Sequence, residues 1–141
     1  MRASGALPGY VADTHAIIWH LESDSRLSTE ARRRFEEAER GEAVIYISAI
    51  SVAEIILLHE RGRLPRHGFE LFKRALQSRP FECYQVADLT YELALGLENV
   101  PRQIVPELPD RIIAATAHFL GLPLLTRDTA LQNWEGIITI W

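Results

Sequence analysis

Short runs of branched apolar residues repeatedly give way, within a few positions, to segments of helical period, and this alternation constrains the fold more than any other feature of the chain. Val11 and Ala12 lead into Thr14 to Leu21, Ala43 to Ser48 into Ser51 to Arg61, and Phe81 to Val86 into Thr90 to Leu97. Pro109 to Leu120 again has a helix period, with Gly121 as its C-terminal cap, and is followed by the apolar runs Leu122 to Thr126 and Gly136 to Trp141. Two further helices are expected: Thr29 to Arg40, capped by Ser28 and closed by Gly41, and Gly68 to Ser78 beyond the basic connection that carries Pro65. Strands that read as continuous apolar runs are those buried on both faces, so the pattern predicts an α/β fold. Its central, mostly parallel sheet would be flanked by helices in a three-layer α/β/α arrangement.

With 141 residues, 48% of them hydrophobic, the chain can bury one core, and no repeat or low-complexity linker divides it. Residues 1–9 are expected to be a flexible tail and residues 10–141 the single domain. No apolar run reaches the roughly 18 residues a membrane span needs, and the start lacks the features of a signal peptide, so a cytoplasmic protein without membrane contact is expected. Cys83 is the only cysteine, which excludes an internal disulfide and a thiolate zinc cluster. A net charge of −4 weighs against a nucleic-acid partner, which usually meets a basic footprint.

Ligands of a parallel sheet bind outside the carboxyl ends of its strands, so acids at strand-to-helix junctions carry most meaning. Asp13 directly follows Val11 and Ala12, and Asp128 comes two residues after Thr126. Each also suits a helix cap or turn. Glu54 lies among Ile50, Val52, Ala53, Ile55, Ile56, Leu57 and Leu58, where a buried carboxylate needs a partner. A capping box with Ser51 three residues earlier would satisfy it near the helix start. Asp110 follows Pro109 and opens a helix, where it would favour the helix dipole. All four acids are expected at one edge of one sheet, where their mutual repulsion calls for a cation. Oxygen ligands without cysteine favour Mg²⁺ or Mn²⁺, ions that can lower the pKa of a bound water and neutralise charge on a phosphodiester.

Four segments carry a family resemblance: Val11-Ala12-Asp13-Thr14-His15, Ser51-Val52-Ala53-Glu54, Pro109-Asp110-Arg111-Ile112-Ile113-Ala114-Ala115-Thr116-Ala117 and Leu124-Leu125-Thr126-Arg127-Asp128. Their order and spacing resemble the PIN domain, and in particular VapC-type toxins, over almost all of residues 11–141. The resemblance implies a Mg²⁺- or Mn²⁺-dependent endoribonuclease that cuts RNA, is usually a homodimer, and is held inactive by a VapB-type antitoxin. By matching position, Asp13, Glu54, Asp110 and Asp128 would form the catalytic, metal-binding pocket, and Thr14 and Thr126 would support it through their hydroxyls. Leu108 departs from the pattern, because an acid followed at once by proline is more usual than Glu107-Leu108-Pro109.

Other residues receive more modest readings. Arg61, Arg63, Arg66, Lys73, Arg74 and Arg79 form a basic stretch that suits either an RNA path or a solvated surface. Arg32, Arg33 and Arg34 are balanced by Glu36, Glu37 and Glu39 on one helix. His15, His20, His59, His67 and His118 include no pair four residues apart, which argues against zinc. Trp19, Trp134 and Trp141 are expected in the core or at an interface. A phosphoacceptor domain would need a lysine beside its aspartate, yet the sole lysine, Lys73, sits mid-helix, and a phosphatase with an aspartate nucleophile would place a second Asp where His15 stands. The alternative that remains is a catalytically silent PIN-like binding module.

Overall fold

The computed structural model describes residues 6–77 and 83–141. The chain runs β1 (Gly9–Ala12), α1 (Thr14–Leu21), α2 (Thr29–Glu39), β2 (Val44–Ser48), α3 (Ala49–Glu60), α4 (Arg66–Gln77), β3 (Tyr84–Ala87), α5 (Tyr91–Leu95), a short 3-10 turn at Gly96–Asn99, α6 (Leu108–Leu120), β4 (Leu124–Leu125), α7 (Thr129–Gln132) and β5 (Thr139–Ile140). The strands form one sheet in the order β3-β2-β1-β4-β5, and every pairing is parallel.

Alternation along the strands sorts side chains into two cores. Ala12, Ile45, Ile47 and Leu125 face a core that includes Ile17, Phe35 and Ile55, while Val11 and Leu124 face a second one built with Val105, Ile113, Leu131 and Trp134. Helices cover both faces, giving the expected three layers. In α2, the Ser28 hydroxyl accepts the Ala31 N–H at 3.1 Å, and Ala31, Phe35 and Ala38 present the buried stripe that helical spacing requires. Gly121 ends α6 at φ 67°, a left-handed conformation that any side chain would strain.

Several boundaries differ from expectation. β1 starts at Gly9, and the Pro8 carbonyl accepts the Val44 N–H at 2.9 Å, so the sheet takes in the last residues assigned to the tail. Residues 1–5 lie outside the described residues, as do Ser78 at the expected end of α4 and Phe81 at the expected start of β3. β4 is confined to Leu124–Leu125, because Pro123 has no N–H to give the ladder. Residues 129–132 form α7, a single turn too short to leave a periodic signal. β5 starts at Thr139, three residues after the expected start, and α4 starts at Arg66, two residues before its expected start. The shift in α3 bears on the site: the helix begins at Ala49 with Ser48 as its cap, two residues before the expected start.

The strand order fixes where a ligand can sit. From β1 the chain moves to β2 and β3 on one side, then crosses to β4 and β5 on the other. The order therefore reverses between β1 and β4, and the crevice outside their carboxyl ends is the switch point of the sheet. Among the described residues no helix is long and apolar enough to cross a membrane.

Candidate active site

Asp13 follows β1 directly and caps α1. Its Oδ1 accepts the Thr14 N–H at 2.7 Å, and its Oδ2 accepts the Thr126 hydroxyl at 2.7 Å. The Thr126 oxygen in turn accepts the Asp128 N–H at 3.0 Å. One fully buried threonine thus ties together the aspartates that follow the two strands at the switch point. Burial raises the Asp13 pKa and Asp128 adds to the rise, while the hydrogen bonds from Thr126 and the Thr14 N–H oppose it. Asp128 caps α7, its Oδ1 accepting the Leu131 N–H at 3.1 Å. For both residues the capping role is real, and neither is thereby removed from the site.

Glu54 reaches the same crevice from α3, without the capping box. The N-cap is Ser48, whose Oγ accepts the Ile50 N–H at 3.2 Å, so Glu54 lies in the second helical turn, too far along to reach back to the cap. Its Oε1 accepts the Thr14 hydroxyl at 2.6 Å. Thr14 has one hydroxyl proton, and with that proton on Glu54 the Ser51 hydroxyl, 2.8 Å away, must donate to Thr14. Ser51 is completely buried and supports the site through Thr14, a role for which its position in the sequence gives no signal.

Asp110 enters on the first turn of α6, whose N-terminus points toward the carboxyl ends of the strands because the helix runs antiparallel to them. The extra Leu108 becomes the first helical residue, with Glu107 at the N-cap and no side-chain capping bond. The Arg111 guanidinium steadies the preceding segment by donating to the Leu97 and Val100 carbonyls at 2.8 and 3.1 Å. Desolvation, then the charges of Asp128, Asp13, Glu54 and Glu107, push Asp110 up to about 7. Every other acid of the cluster therefore acts on Asp110.

The four acids line one cavity of about 330 Å³ together with Thr14, His15, Ala16, Trp19, Arg127 and Trp141. Trp19 and Trp141 wall this cavity, edge to face at 5.9 Å between ring centroids, with His15 5.6 Å from Trp19. Trp134 packs in the second core, as expected. The basic stretch stands apart: Arg61, Arg63 and Arg74 are exposed, Lys73 pairs with Glu70 at 3.3 Å, and none of these four lines the cavity. The Arg66 side chain and Arg79 lie outside the described residues. In α2, exposed Arg33 pairs with Glu30, half-buried Arg34 pairs with Glu30 and Glu37, and Glu39 is taken up by His20 instead.

Among the described residues no three His, Cys, Asp or Glu side chains form a ready-made metal cage. The donor set nonetheless fits a hard divalent cation. It consists of carboxylate oxygens crowded enough to raise Asp110 in one open cavity, a donor set of the kind that holds Mg²⁺ through one or two carboxylates with water completing the sphere.

A parallel α/β sheet with four acids converging on its switch point places the protein among α/β proteins built around an acidic ligand pocket. More narrowly, the chain belongs to the PIN domain family, whose profile matches residues 10–136. Solved structures of the same fold include DNA-bound VapBC from Salmonella typhimurium, with a TM-score of 0.70, 18% identity, and coverage of 95% of this chain and 98% of that one. VapBC2 from Rickettsia felis bound to a promoter DNA fragment has a TM-score of 0.67, 14% identity, and coverage of 94% and 97%. A toxin–antitoxin complex from Klebsiella pneumoniae has a TM-score of 0.59, 23% identity, and coverage of 92% and 96%. At these identities the likeness is one of fold. No curated protein sequence matches the chain.

Proposed function

We propose that the chain is a Mg²⁺- or Mn²⁺-dependent endoribonuclease, the toxin of a VapBC-type pair, acting in the cytoplasm as a homodimer and restrained by a VapB-type antitoxin. The observation that carries this reading is the convergence of Asp13, Glu54, Asp110 and Asp128, from four separate elements, on one cavity at the switch point. A divalent cation held by these carboxylates would supply an activated water and would neutralise charge on the leaving oxygen. The chain's own groups do the positioning. Thr126 fixes Asp13 against Asp128, and Thr14, backed by Ser51, aims Glu54 into the cavity. The antitoxin partner is supported by structures of the same fold that are toxin–antitoxin complexes.

The test is to incubate partner-free protein with mixed cellular RNA in Mg²⁺ or Mn²⁺, and separately in EDTA, beside Asp13→Asn and Asp110→Asn variants, and to map the product ends. Discrete metal-dependent cuts that vanish in both variants are expected. Equal cutting by the variants would reveal a contaminant and overturn the site. A folded wild type that cuts nothing but binds a small partner protein would make the chain a binding module.

A further inference from the structure

We infer that Arg127, held in place by Trp19, is the residue that seats an RNA phosphate at the mouth of the acid cavity. This inference rests on the nuclease reading above and assigns the substrate contact of the same site. Among the residues lining the cavity, Arg127 is the only arginine or lysine. Its backbone is fixed on both sides: the Thr126 N–H donates to the Ile140 carbonyl at 3.2 Å, and the Asp128 N–H donates to the Thr126 hydroxyl at 3.0 Å. Its guanidinium carbon lies 5.2 Å from the centroid of the Trp19 ring, a cation–π contact with an indole that is itself 8% exposed and braced by Trp141.

The charge of Arg127 is also uncommitted. Arg26 lies over the same indole at 4.8 Å, but its guanidinium is taken up by Asp24 at 2.7 and 3.1 Å. Arg127 joins none of the ion pairs formed among the described residues, although carboxylates surround its cavity. It is left as an exposed fork of donors beside the Trp19 ring, lining a site that otherwise repels a polyanion. That geometry matches the non-bridging oxygens of a phosphodiester. It also answers the charge objection for a chain of net charge −4, because one placed cation at the site does what a diffuse basic surface does elsewhere. The contact is made to substrate before and during the reaction alike, so it acts on binding more than on turnover.

The experiment compares wild type with Arg127→Ala, Arg127→Lys, Trp19→Leu and Trp19→Phe. Cleavage kinetics are measured in Mg²⁺, and affinity for a short fluorescein-labelled single-stranded RNA is measured by anisotropy in Ca²⁺ across a KCl series. Arg127→Ala is expected to raise KM about tenfold with kcat little changed, as loss of one charge-assisted hydrogen bond implies. It should also flatten the slope of log affinity against log salt by about 0.7, the value for one phosphate contact on a single strand. Arg127→Lys should restore the slope but not the full affinity. Trp19→Leu should resemble Arg127→Ala, and Trp19→Phe, which keeps a ring, should stay near wild type. A variant Arg127→Ala whose KM and slope match those of a cutting wild type overturns the inference and leaves the nuclease intact. So does a fall in kcat at constant KM, or a loss of affinity for a partner protein with the RNA slope unchanged. A wild type that binds RNA with an Arg127-dependent slope yet cuts nothing overturns the nuclease reading and keeps this one.

Discussion

Replacing Asp110 by Asn should stabilise the metal-free protein, and the gain should depend on pH in a direction fixed by the site. The Asp110 pKa is raised from 3.8 to about 7, so the folded state holds this proton more tightly than the unfolded chain does. The sign follows directly. Below about pH 4 both states are protonated and the group has no differential effect, whereas between pH 4 and 7 the unfolded state ionises first and wild-type stability falls. A rise of about three units is worth about 4 kcal/mol at full strength. Asp110 is only half-buried in an open cavity, and solvent screening brings this to about 2 kcal/mol. Asn also forfeits the favourable interaction of a carboxylate with the first turn of α6, about 0.5 kcal/mol, so desolvation and repulsion win. The expected net gain at pH 8 is roughly 1–2 kcal/mol, or about 5 °C in Tm for a domain of this size. Thermal unfolding in EDTA at pH 4 and pH 8 measures it. The two Tm curves should meet at the acid end and separate with rising pH, and added Mg²⁺ should raise the wild type more than the variant. A variant no more stable than wild type at pH 8 in EDTA would refute the claim that the four acids are crowded.

Four further outcomes follow from the hydroxyls. Thr126→Val keeps the shape of a fully buried residue but leaves Asp13 Oδ2 and the Asp128 N–H without their partner, so urea denaturation should show a loss of about 2 kcal/mol while Thr126→Ser stays close to wild type. Thr14→Val frees Glu54 from its 2.6 Å hydrogen bond, and kcat/KM for RNA cleavage should fall at least about tenfold, the usual effect of removing a residue that orients a ligand. Ser48→Ala should cost about 1 kcal/mol by removing the α3 cap. Ser51→Ala should act mainly on cleavage, through Thr14, and the reverse pattern for these two serines would restore the capping box.

What could be read from the sequence is what local pattern determines. The apolar runs around Val11, Ile45 and Leu124 announced central parallel strands because such strands bury both faces, and only Tyr10, Val44 and Tyr46 in β1, β2 and β4 are more than slightly exposed. The start of α3 was misplaced because Ser48 and Ser51 stand three residues apart, and the second forms the better capping-box spacing with Glu54. Strand pairing settles the matter: Ser48 is still in register with Ala87, so the helix begins immediately after it. The acids were legible because strand ends and helix starts are local signals. The opposite wall was not, since Trp19 meets Trp141 and Arg127 only across the fold, and although Arg127 stands beside Asp128 in the chain, nothing local pairs it with a tryptophan.

The choice between helix cap and ligand-binding acid was never exclusive at this edge. In a parallel α/β sheet the end of a strand and the start of the following helix share one rim, and an aspartate there meets both the helix N–H groups and whatever the rim binds. Asp13 and Asp128 do both, each accepting a hydrogen bond from its own helix while lining the cavity. Asp110 accepts no capping bond, and Glu54 is held by Thr14 rather than by its own helix start. The cluster is thus two acids whose capping positions the fold would favour anyway and two that cap no helix, of which Asp110 is held against desolvation and the charge of its neighbours. The second pair carries the functional argument: a carboxylate that only caps a helix would not need company, and Asp110 is held beside three others at a cost that a bound cation would remove.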